Sequence, residues 1–241
     1  MCLQTIQGVI RRRILVNFRT DPEIIRRHLP TQFRPKLHGD SAIVGICLIR
    51  LEQMRPKVLP VFLGMASENA AHRIAVVWND AAGEAREGVF VVRRDTNSTL
   101  NTLAGGRLFP GDYHPANFEV MDFAGKIAFQ MRSRDGEVKI RLRAEPAKQL
   151  PAGSHFPTLR AASDFFEPGS LGYSASRGGN RLNGMILKTQ TWQVEPLEVE
   201  DVYSSYFSDA EKFPAGSICF DCALLMRDIA HEWRNAPDLD V

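Results

Sequence analysis

Short runs of β-branched and apolar residues recur from one end of this sequence to the other, and turn-forming residues separate them. The clearest run is Glu137 to Arg143, in which three apolar residues alternate with four charged ones. Alternation with a period of two is typical of a strand with one buried face and one solvated face. The dipeptide Asp135-Gly136 precedes this run and is a strong hairpin signal, so Lys126 to Arg132 should be its antiparallel partner.

Other segments carry the same strand signals. Ala42 to Leu51 is almost entirely apolar and too short for a membrane span, which indicates a strand covered on both faces. Arg73 to Trp78 and Gly88 to Arg94 are joined by turn-forming residues, so they predict a second hairpin. Strands or mixed apolar patterns are also predicted at 9–18, 117–123, 182–194 and 217–228.

Helix signals are few and short. Thr-Asp-Pro at 20–22 supplies a cap with proline in the first turn, which predicts a helix through Leu29, just before Pro30. Leucines at helical spacing predict another helix from Asn97 to Phe109, and a short one is possible around 157–165. Many strands with a few short helices predict an α+β protein that is mainly antiparallel β.

The chain shows no repeat of fixed period and no clear linker, so residues 1–241 are predicted to form a single domain. Residues 145–181 are rich in proline, glycine and serine. A long irregular stretch of this kind in a compact domain is often a functional loop or a lid.

The net charge excludes some classes of function. A formal charge of +2 over 241 residues gives no concentrated basic face for a phosphate backbone, so no nucleic-acid partner is predicted. No apolar run approaches the roughly 18 residues of a membrane span, and no secretory signal is evident. Scattered cysteines also argue against a secreted disulfide framework, so we expect a cytoplasmic protein without a membrane partner.

Several short motifs have ordinary structural interpretations. Cys219 and Cys222 form a CxxC pair in an apolar run without a second ligand pair, so they should be structural cysteines. The six histidines have no metal-binding spacing, and we predict no metal and no cofactor. The arginine pairs at 26–27 and 93–94 have acidic neighbours and should face solvent.

The order of several segments resembles the acetoacetate decarboxylases. Arg11 to Leu29 (RRRILVNFRTDPEIIRRHL) is similar to their opening, with an arginine-bearing strand, Thr-Asp, a short helix and then a proline. Ser-Glu-Asn-Ala at 67–70 is similar to their glutamate-bearing segment, and 88–107 to the strand and helix before their catalytic turn. The segments 194–197 and 202–208 extend the resemblance over most of the chain. Within this superfamily, the chain is most similar to the uncharacterised YqjF-like branch.

The resemblance implies a mostly antiparallel β-barrel or cone that encloses a cavity, with a few short helices. It also implies a homo-oligomer with a small-molecule ligand. Neither the cavity nor the oligomer follows from the strand patterns alone, which fit a barrel and a sandwich equally well.

The sequence departs from the family at its catalytic turn. The family has a Pro-Lys-Lys run there, and one lysine forms a Schiff base with a β-keto acid after its pKa has been lowered by a neighbouring cation and an apolar cavity. Here residues 111–115 read Gly-Asp-Tyr-His-Pro, so Tyr113 and His114 take the lysine positions. No lysine occurs between Lys57 and Lys126, and neither a phenol nor an imidazole can form an imine.

Two other family positions are retained, and the resemblance gives them roles. Arg11 matches the arginine that engages the substrate carboxylate, a task that suits its planar fork. Glu68 matches the glutamate near the reacting carbon. Glu68 and His114 are then acid–base candidates and Tyr113 a hydrogen-bond donor. Each also has an ordinary interpretation: a solvated arginine run, a surface carboxylate, a loop-capping histidine and a core tyrosine.

Two hypotheses about function follow, from different classes. The first is a small-molecule enzyme, acting on a small carboxylate or keto acid without a Schiff base. The second is a non-catalytic binding or sensor protein with the same barrel. An enzyme should place His114 or Glu68 in the cavity with a perturbed pKa, whereas a binder should leave His114 outside it. A different fold, such as a β-sandwich interaction module, is the remaining alternative.

Overall fold

The computed structural model describes residues 5–99, 102, 111–176 and 179–240. A single mixed sheet of thirteen strands dominates this part of the chain. The strands are β1 (Ile6–Thr20), β2 (Arg34–Pro35), β3 (Leu37–His38), β4 (Ser41–Pro56), β5 (Met65–Asn79), β6 (Ala85–Thr96), β7 (Tyr113–Phe123), β8 (Lys126–Ser133), β9 (Lys139–Pro146), β10 (Leu171–Ala175), β11 (Arg181–Thr189), β12 (Glu195–Ser204) and β13 (Ile218–Asp240).

The sheet closes on itself twice. The nine-strand ring runs β6-β7-β8-β9-β12-β13-β1-β4-β5 and returns to β6. The seven-strand ring runs β6-β10-β11-β13-β1-β4-β5 and also returns to β6. All pairs in both rings are antiparallel except β6 with β7 and β6 with β10. The two rings share β13, β1, β4, β5 and β6, so both faces of these strands are covered.

Covering on both faces explains the composition of the shared strands. Consecutive side chains of a strand point to opposite faces, so a strand between two cores must be apolar at nearly every position. In β1, Ile14 and Val16 belong to one hydrophobic cluster, whereas Leu15 belongs to the other. In β13, Leu225 packs in the first cluster and Leu224 in the second. The nearly continuous apolar runs in the sequence are therefore the shared wall.

Outside the sheet, the described residues include two short α-helices. Helix α1 (Pro22–Arg26) is capped by the Asp21 carboxylate, which accepts a hydrogen bond of 2.7 Å from the Glu23 amide. Helix α2 (Leu159–Phe166) is capped by Thr158 and packs its phenylalanines into the second cluster. A 3-10 turn at Glu167–Ser170 leads from α2 into β10.

The predicted class is confirmed: the fold is mainly antiparallel β with few helices, closed into a barrel. The helix predicted at 20–29 is present but ends at Arg26. The short helix predicted around 157–165 is confirmed as α2, but the rest of 145–181 is not all irregular, because β10 lies inside it and completes a ring. Most of the helix predicted at 97–109 lies outside the described residues.

No helix of the described residues is long and apolar enough to cross a membrane. The cytoplasmic location, the homo-oligomer and the single-domain organisation stay predictions.

Candidate functional site

The seven-strand ring surrounds a partly open cavity of about 120 Å³, which fits a ligand of only a few heavy atoms. Residues from every strand of the ring contribute to its wall, together with Tyr113 at the start of β7. Most of the wall is apolar, with aliphatic residues such as Ile49, Val91 and Leu187. Such a cavity excludes water and strengthens any charge interaction inside it.

Three arginines line this cavity from neighbouring strands: Arg13 on β1, Arg73 on β5 and Arg94 on β6. Arg13 and Arg73 are 8% and 5% exposed, so little of their charge is solvated. Within the described chain, none of the three has a carboxylate within 4.0 Å. Buried cations are normally paired, so Arg13 and Arg73 need an anion that this part of the chain does not supply, and half-buried Arg94 adds a third positive charge to the same cavity.

The guanidinium groups of Arg13 and Arg73 contact thiol, amide and aromatic groups. Arg13 Nε donates a hydrogen bond of 3.4 Å to the Cys47 sulfur. Arg73 Nη2 donates one of 2.5 Å to Asn17 Oδ1, while Arg73 Nε is buried without a hydrogen-bond partner. The Arg73 guanidinium also lies 5.1 Å from the centre of the Phe166 ring. Aromatic faces partly compensate a desolvated cation, but they leave its donors available.

Arg94 contacts the segment that carries Tyr113. Its guanidinium donates a hydrogen bond to Ser174 Oγ and lies 5.8 Å from the centre of the Tyr113 ring. Gly111 approaches so closely that a Cβ atom there would lie 2.5 Å from Arg94 Nη1. Gly111 also has φ of +99°, a conformation that L side chains rarely adopt. Glycine at this position therefore leaves room for Arg94.

Burial shifts the pKa of three groups in the cavity. It lowers the pKa of Arg73 to about 10, with a contribution from the charge of Arg13, and it lowers the pKa of Arg94. It raises the pKa of the Tyr113 phenol, against the opposing effect of Arg94. At neutral pH the guanidinium groups are therefore still charged and Tyr113 is protonated. The cavity presents positive charge and a phenolic hydrogen-bond donor to its contents.

Arg11 and Glu68 do not line this cavity. Arg11 lies at a bulge of β1 against β4, with its side chain 49% exposed and paired to Glu52 and Asp228. A bulge redirects a side chain, so Arg11 points to the outer surface although its neighbours are buried. Glu68 is buried on the opposite face of β5, where its carboxylate lies 2.8 Å from Arg12 Nη2. Burial raises the pKa of Glu68, and Arg12 opposes that effect.

His114 also lies outside the cavity, in an ionic cluster of its own. Its Nδ1 is 3.1 Å from Asp135 Oδ2, and Asp135 is also paired with Arg93 at 2.7 Å. Arg93 in turn binds Asp95 and is only 9% exposed. The expectation that Arg93 and Arg94 face solvent is therefore wrong: Arg93 is buried among carboxylates, and Arg94 lines the cavity.

Of the four site residues predicted from the sequence, only Tyr113 lines the cavity. Sequence reasoning missed Arg13, Arg73, Arg94 and Cys47. One signal was available, because Arg11 to Arg13 and Arg93-Arg94 are adjacent arginines within strands. Alternation places adjacent strand residues on opposite faces, so at least one arginine of each run had to point inward.

A protein-family comparison matches residues 9–220 to DUF2071, described as "Uncharacterized conserved protein (COG2071)". No curated protein matches the chain.

Solved structures show the same fold at low identity. Acetoacetate decarboxylase from Legionella pneumophila is 10% identical with a TM-score of 0.59, covering 97% of this chain and 87% of that one. An acetoacetate decarboxylase-like enzyme from Sphingomonas wittichii RW1 is 12% identical with a TM-score of 0.61, covering 100% and 93%. The enduracididine biosynthesis enzyme MppR, complexed with the condensation product of pyruvate and imidazole 4-carboxaldehyde, is 10% identical with a TM-score of 0.59, covering 98% and 88%.

Proposed function

This chain belongs to the DUF2071 family and has the acetoacetate decarboxylase-like fold, and from its cavity we propose that it binds a small organic carboxylate. Arg13, Arg73 and Arg94 are the counter-ions, and the Tyr113 hydroxyl donates a hydrogen bond. The role that the resemblance gave to Arg11 passes to Arg13, which is close in sequence but on the inner face of β1.

One observation carries this proposal: three arginines line the same mostly apolar cavity and have no carboxylate partner in the described chain. A cluster of like charges in a low-dielectric site raises the free energy of the empty protein. An anionic ligand relieves both the repulsion and the missing hydrogen bonds. A guanidinium fork suits a carboxylate because it can donate two parallel hydrogen bonds to it.

The size of the cavity narrows the ligand class. A volume of about 120 Å³ favours acids of a few carbons. MppR, which shares the fold, was solved with pyruvate, a small keto acid. We therefore propose small keto acids and hydroxy acids as the first compounds to test.

The second candidate is an enzyme that acts on the same acids without a Schiff base. The observation in its favour is Tyr113, a phenol that burial keeps protonated inside the cavity, where it can donate a proton or hydrogen bond to a developing oxyanion. No lysine is among the described residues that line the cavity. Glu68 and His114 belong to separate ionic clusters, which favours binding over acid–base catalysis by these residues.

A thermal-shift comparison tests the proposal. Each small carboxylate is matched with its uncharged primary amide, and both are added to wild type, Arg13→Met and Arg11→Met. At one hundred times its dissociation constant, a carboxylate should stabilise the wild type by about 2.7 kcal/mol, and the amide should not. Arg11→Met should respond as wild type does, because that side chain is exposed and has its own carboxylates.

The outcomes separate the two candidates. If carboxylates stabilise Arg13→Met as well as wild type, the arginine cavity is not their site and the proposal is wrong. If a stabilising acid is converted during incubation, as followed by proton NMR, the enzyme is supported. If the acid stabilises the protein and stays unchanged, the binding protein is supported.

A further inference from the structure

Cys47 on β4 is a thiol that lines the arginine cavity. It is partly accessible, and it carries no disulfide. The other described cysteines differ from it: Cys219 is exposed on β13, and Cys222 is fully buried on β13, two strands from Cys47, and does not line the cavity. Cys47 is thus the thiol, among the cysteines that the structure describes, that a ligand in the cavity could contact.

The surroundings of Cys47 are those of a reactive thiol. Its sulfur accepts the hydrogen bond of 3.4 Å from Arg13 Nε. Arg73 and Arg94 line the same cavity as this thiol. Reactive cysteines lie in electropositive and partly accessible surroundings. Three guanidinium groups provide such an environment here.

A second observation points to a ligand beside this sulfur. Arg73 is 5% exposed and lines the same cavity, yet in the described chain its guanidinium contacts the Asn17 amide oxygen and the Phe166 ring and has no carboxylate within 4.0 Å. A buried cation without a counter-ion is costly unless an anion fills the site. An anion bound by Arg13 and Arg73 would sit within the same small volume as the Cys47 sulfur.

We propose that Cys47 is a nucleophile that forms a covalent bond with small carboxylates carrying an electrophilic carbon. The arginines hold the carboxylate, and confinement in a small cavity brings the carbon to the sulfur. With iodoacetate, the sulfur–carbon bond forms as the carbon–iodine bond breaks. The electron pair leaves with iodide, and the thiol proton passes to solvent. This inference rests on the proposed carboxylate site and adds a reactive group to it.

Alkylation with iodoacetate and iodoacetamide tests the inference, because the reagents differ mainly in charge. Labelling is followed at each cysteine by peptide mass spectrometry, with exposed Cys219 as the reference in the same molecule. Cys47 should react about tenfold or more faster with iodoacetate than with iodoacetamide, since three arginines line the cavity against one carboxylate, Asp95, which is paired with Arg93, and a net positive cleft concentrates an anion by such factors. Cys219 should show no preference for iodoacetate.

Variants and a separate binding assay complete the test. In Arg13→Met the preference at Cys47 should disappear while Cys219 reacts as before, and Cys47→Ser should lose labelling at this position only. Equal rates with both reagents at Cys47, or no labelling there, would overturn the inference. Thermal shift with unreactive propionate tests the binding site separately. If propionate stabilises the protein but Cys47 is not labelled selectively, the nucleophile is ruled out and the carboxylate site stands. If propionate does not stabilise the protein and Cys47 is not labelled selectively, both proposals are wrong.

Discussion

Arg12 and Arg13 are consecutive residues of β1, yet Arg12 Nη2 lies 2.8 Å from the Glu68 carboxylate while Arg13 lines the cavity and has no described carboxylate within 4.0 Å. The two side chains lie on opposite faces of a single-layered sheet. On one face a carboxylate of the protein neutralises the arginine, and on the other face no described carboxylate does. The same division recurs in β6, where Arg93 pairs with Asp95 and Arg94 lines the cavity. The two faces predict opposite consequences for the same substitution.

Replacing Arg13 with methionine should weaken carboxylate binding without loss of stability. The variant removes a charged hydrogen-bond donor worth about 1.5–3 kcal/mol to a bound anion, which corresponds to a tenfold to hundredfold increase in Kd. It also removes an unpaired buried cation, so the free energy of unfolding should stay level or rise. Calorimetric titration and urea unfolding measure the two effects, and a large loss of stability would contradict the unpaired state of Arg13.

Replacing Arg12 with methionine should have the reverse effect. Glu68 is left as a buried carboxylate without its closest partner, and breaking a buried pair in this way costs about 3–5 kcal/mol. The double variant Arg12→Met/Glu68→Leu should recover most of the loss, because no charge then stays unpaired. Urea unfolding of the two variants provides the check. If the double variant is as unstable as Arg12→Met, the pair is not the cause.

Gly111→Ala should impair ligand binding through Arg94. The new Cβ atom would lie 2.5 Å from Arg94 Nη1, so the guanidinium must move away from Ser174 and Tyr113. Gly83→Ala is a matched control, because Gly83 has φ of +81° but nothing within 4 Å of the added atom. Both variants should lose stability through backbone strain, but only Gly111→Ala should raise the Kd for the carboxylate. Equal Kd values would show that Arg94 does not contact the ligand.

Tyr113→Phe should weaken binding modestly and leave the fold intact. Loss of one hydrogen bond to an anion costs about 1.5–3 kcal/mol, whereas the ring that contacts Arg94 is retained. Tyr203→Phe serves as the control, because Tyr203 is exposed on β12 and contacts Arg141. Calorimetric titration should show a higher Kd for Tyr113→Phe only. An unchanged Kd would mean that the phenol does not reach the ligand.

Stability should fall as the pH is lowered from 6.5. Burial lowers the pKa of His72 from 6.5 to about 3, with a contribution from Arg93, and the pKa of His231 to about 4. The unfolded chain therefore binds protons below pH 6.5 that the folded chain does not, and each histidine reduces stability by about 1.4 kcal/mol per pH unit in that range. This contribution to stability is complete above pH 6.5.

His72→Gln isolates one of these contributions. Glutamine can keep a hydrogen bond to Ser204, which lies 3.1 Å from His72 Nε2, but it does not titrate. Between pH 6 and pH 4.5 the slope of unfolding free energy against pH should therefore be smaller by about 1.4 kcal/mol per pH unit than in wild type. Urea unfolding across this range measures the slopes. If wild type and His72→Gln show the same slope, His72 is protonated in the folded state as it is in the unfolded chain, and the prediction is wrong.

The sequence indicated most of the strands, because local patterns report burial directly. Glu137 to Arg143 alternated as a one-sided strand does, and 42–51 was apolar as a two-sided one is. It could not show that the sheet closes twice, since the pairing of β11 with β13 joins residues about fifty apart. The short strand β10 was missed because its Leu-Gly-Tyr-Ser-Ala sequence follows a proline- and glycine-rich turn.

The site was harder to predict than the fold. The resemblance led to Arg11, but which arginine of a run points inward depends on a bulge that displaces the register by one residue. Glu68 was located in a segment that does contact the cavity, but its side chain faces the other ring. Tyr113 could be predicted because it occupies the position of a catalytic lysine in the family that the sequence resembles.

The double closure of the sheet also bears on how this protein limits edge-to-edge strand pairing with other molecules. Long apolar strands with open edges can pair with strands of other molecules and aggregate. Here the longest strands have neighbouring strands on both sides. Where the pairing of β4 with β5 ends, the two-residue strand β2 pairs with β5 instead. Pro35 lies in that strand and has no amide proton to donate. At that position the sheet therefore has an edge that is too short, and has too few amide donors, to pair with a strand of another molecule.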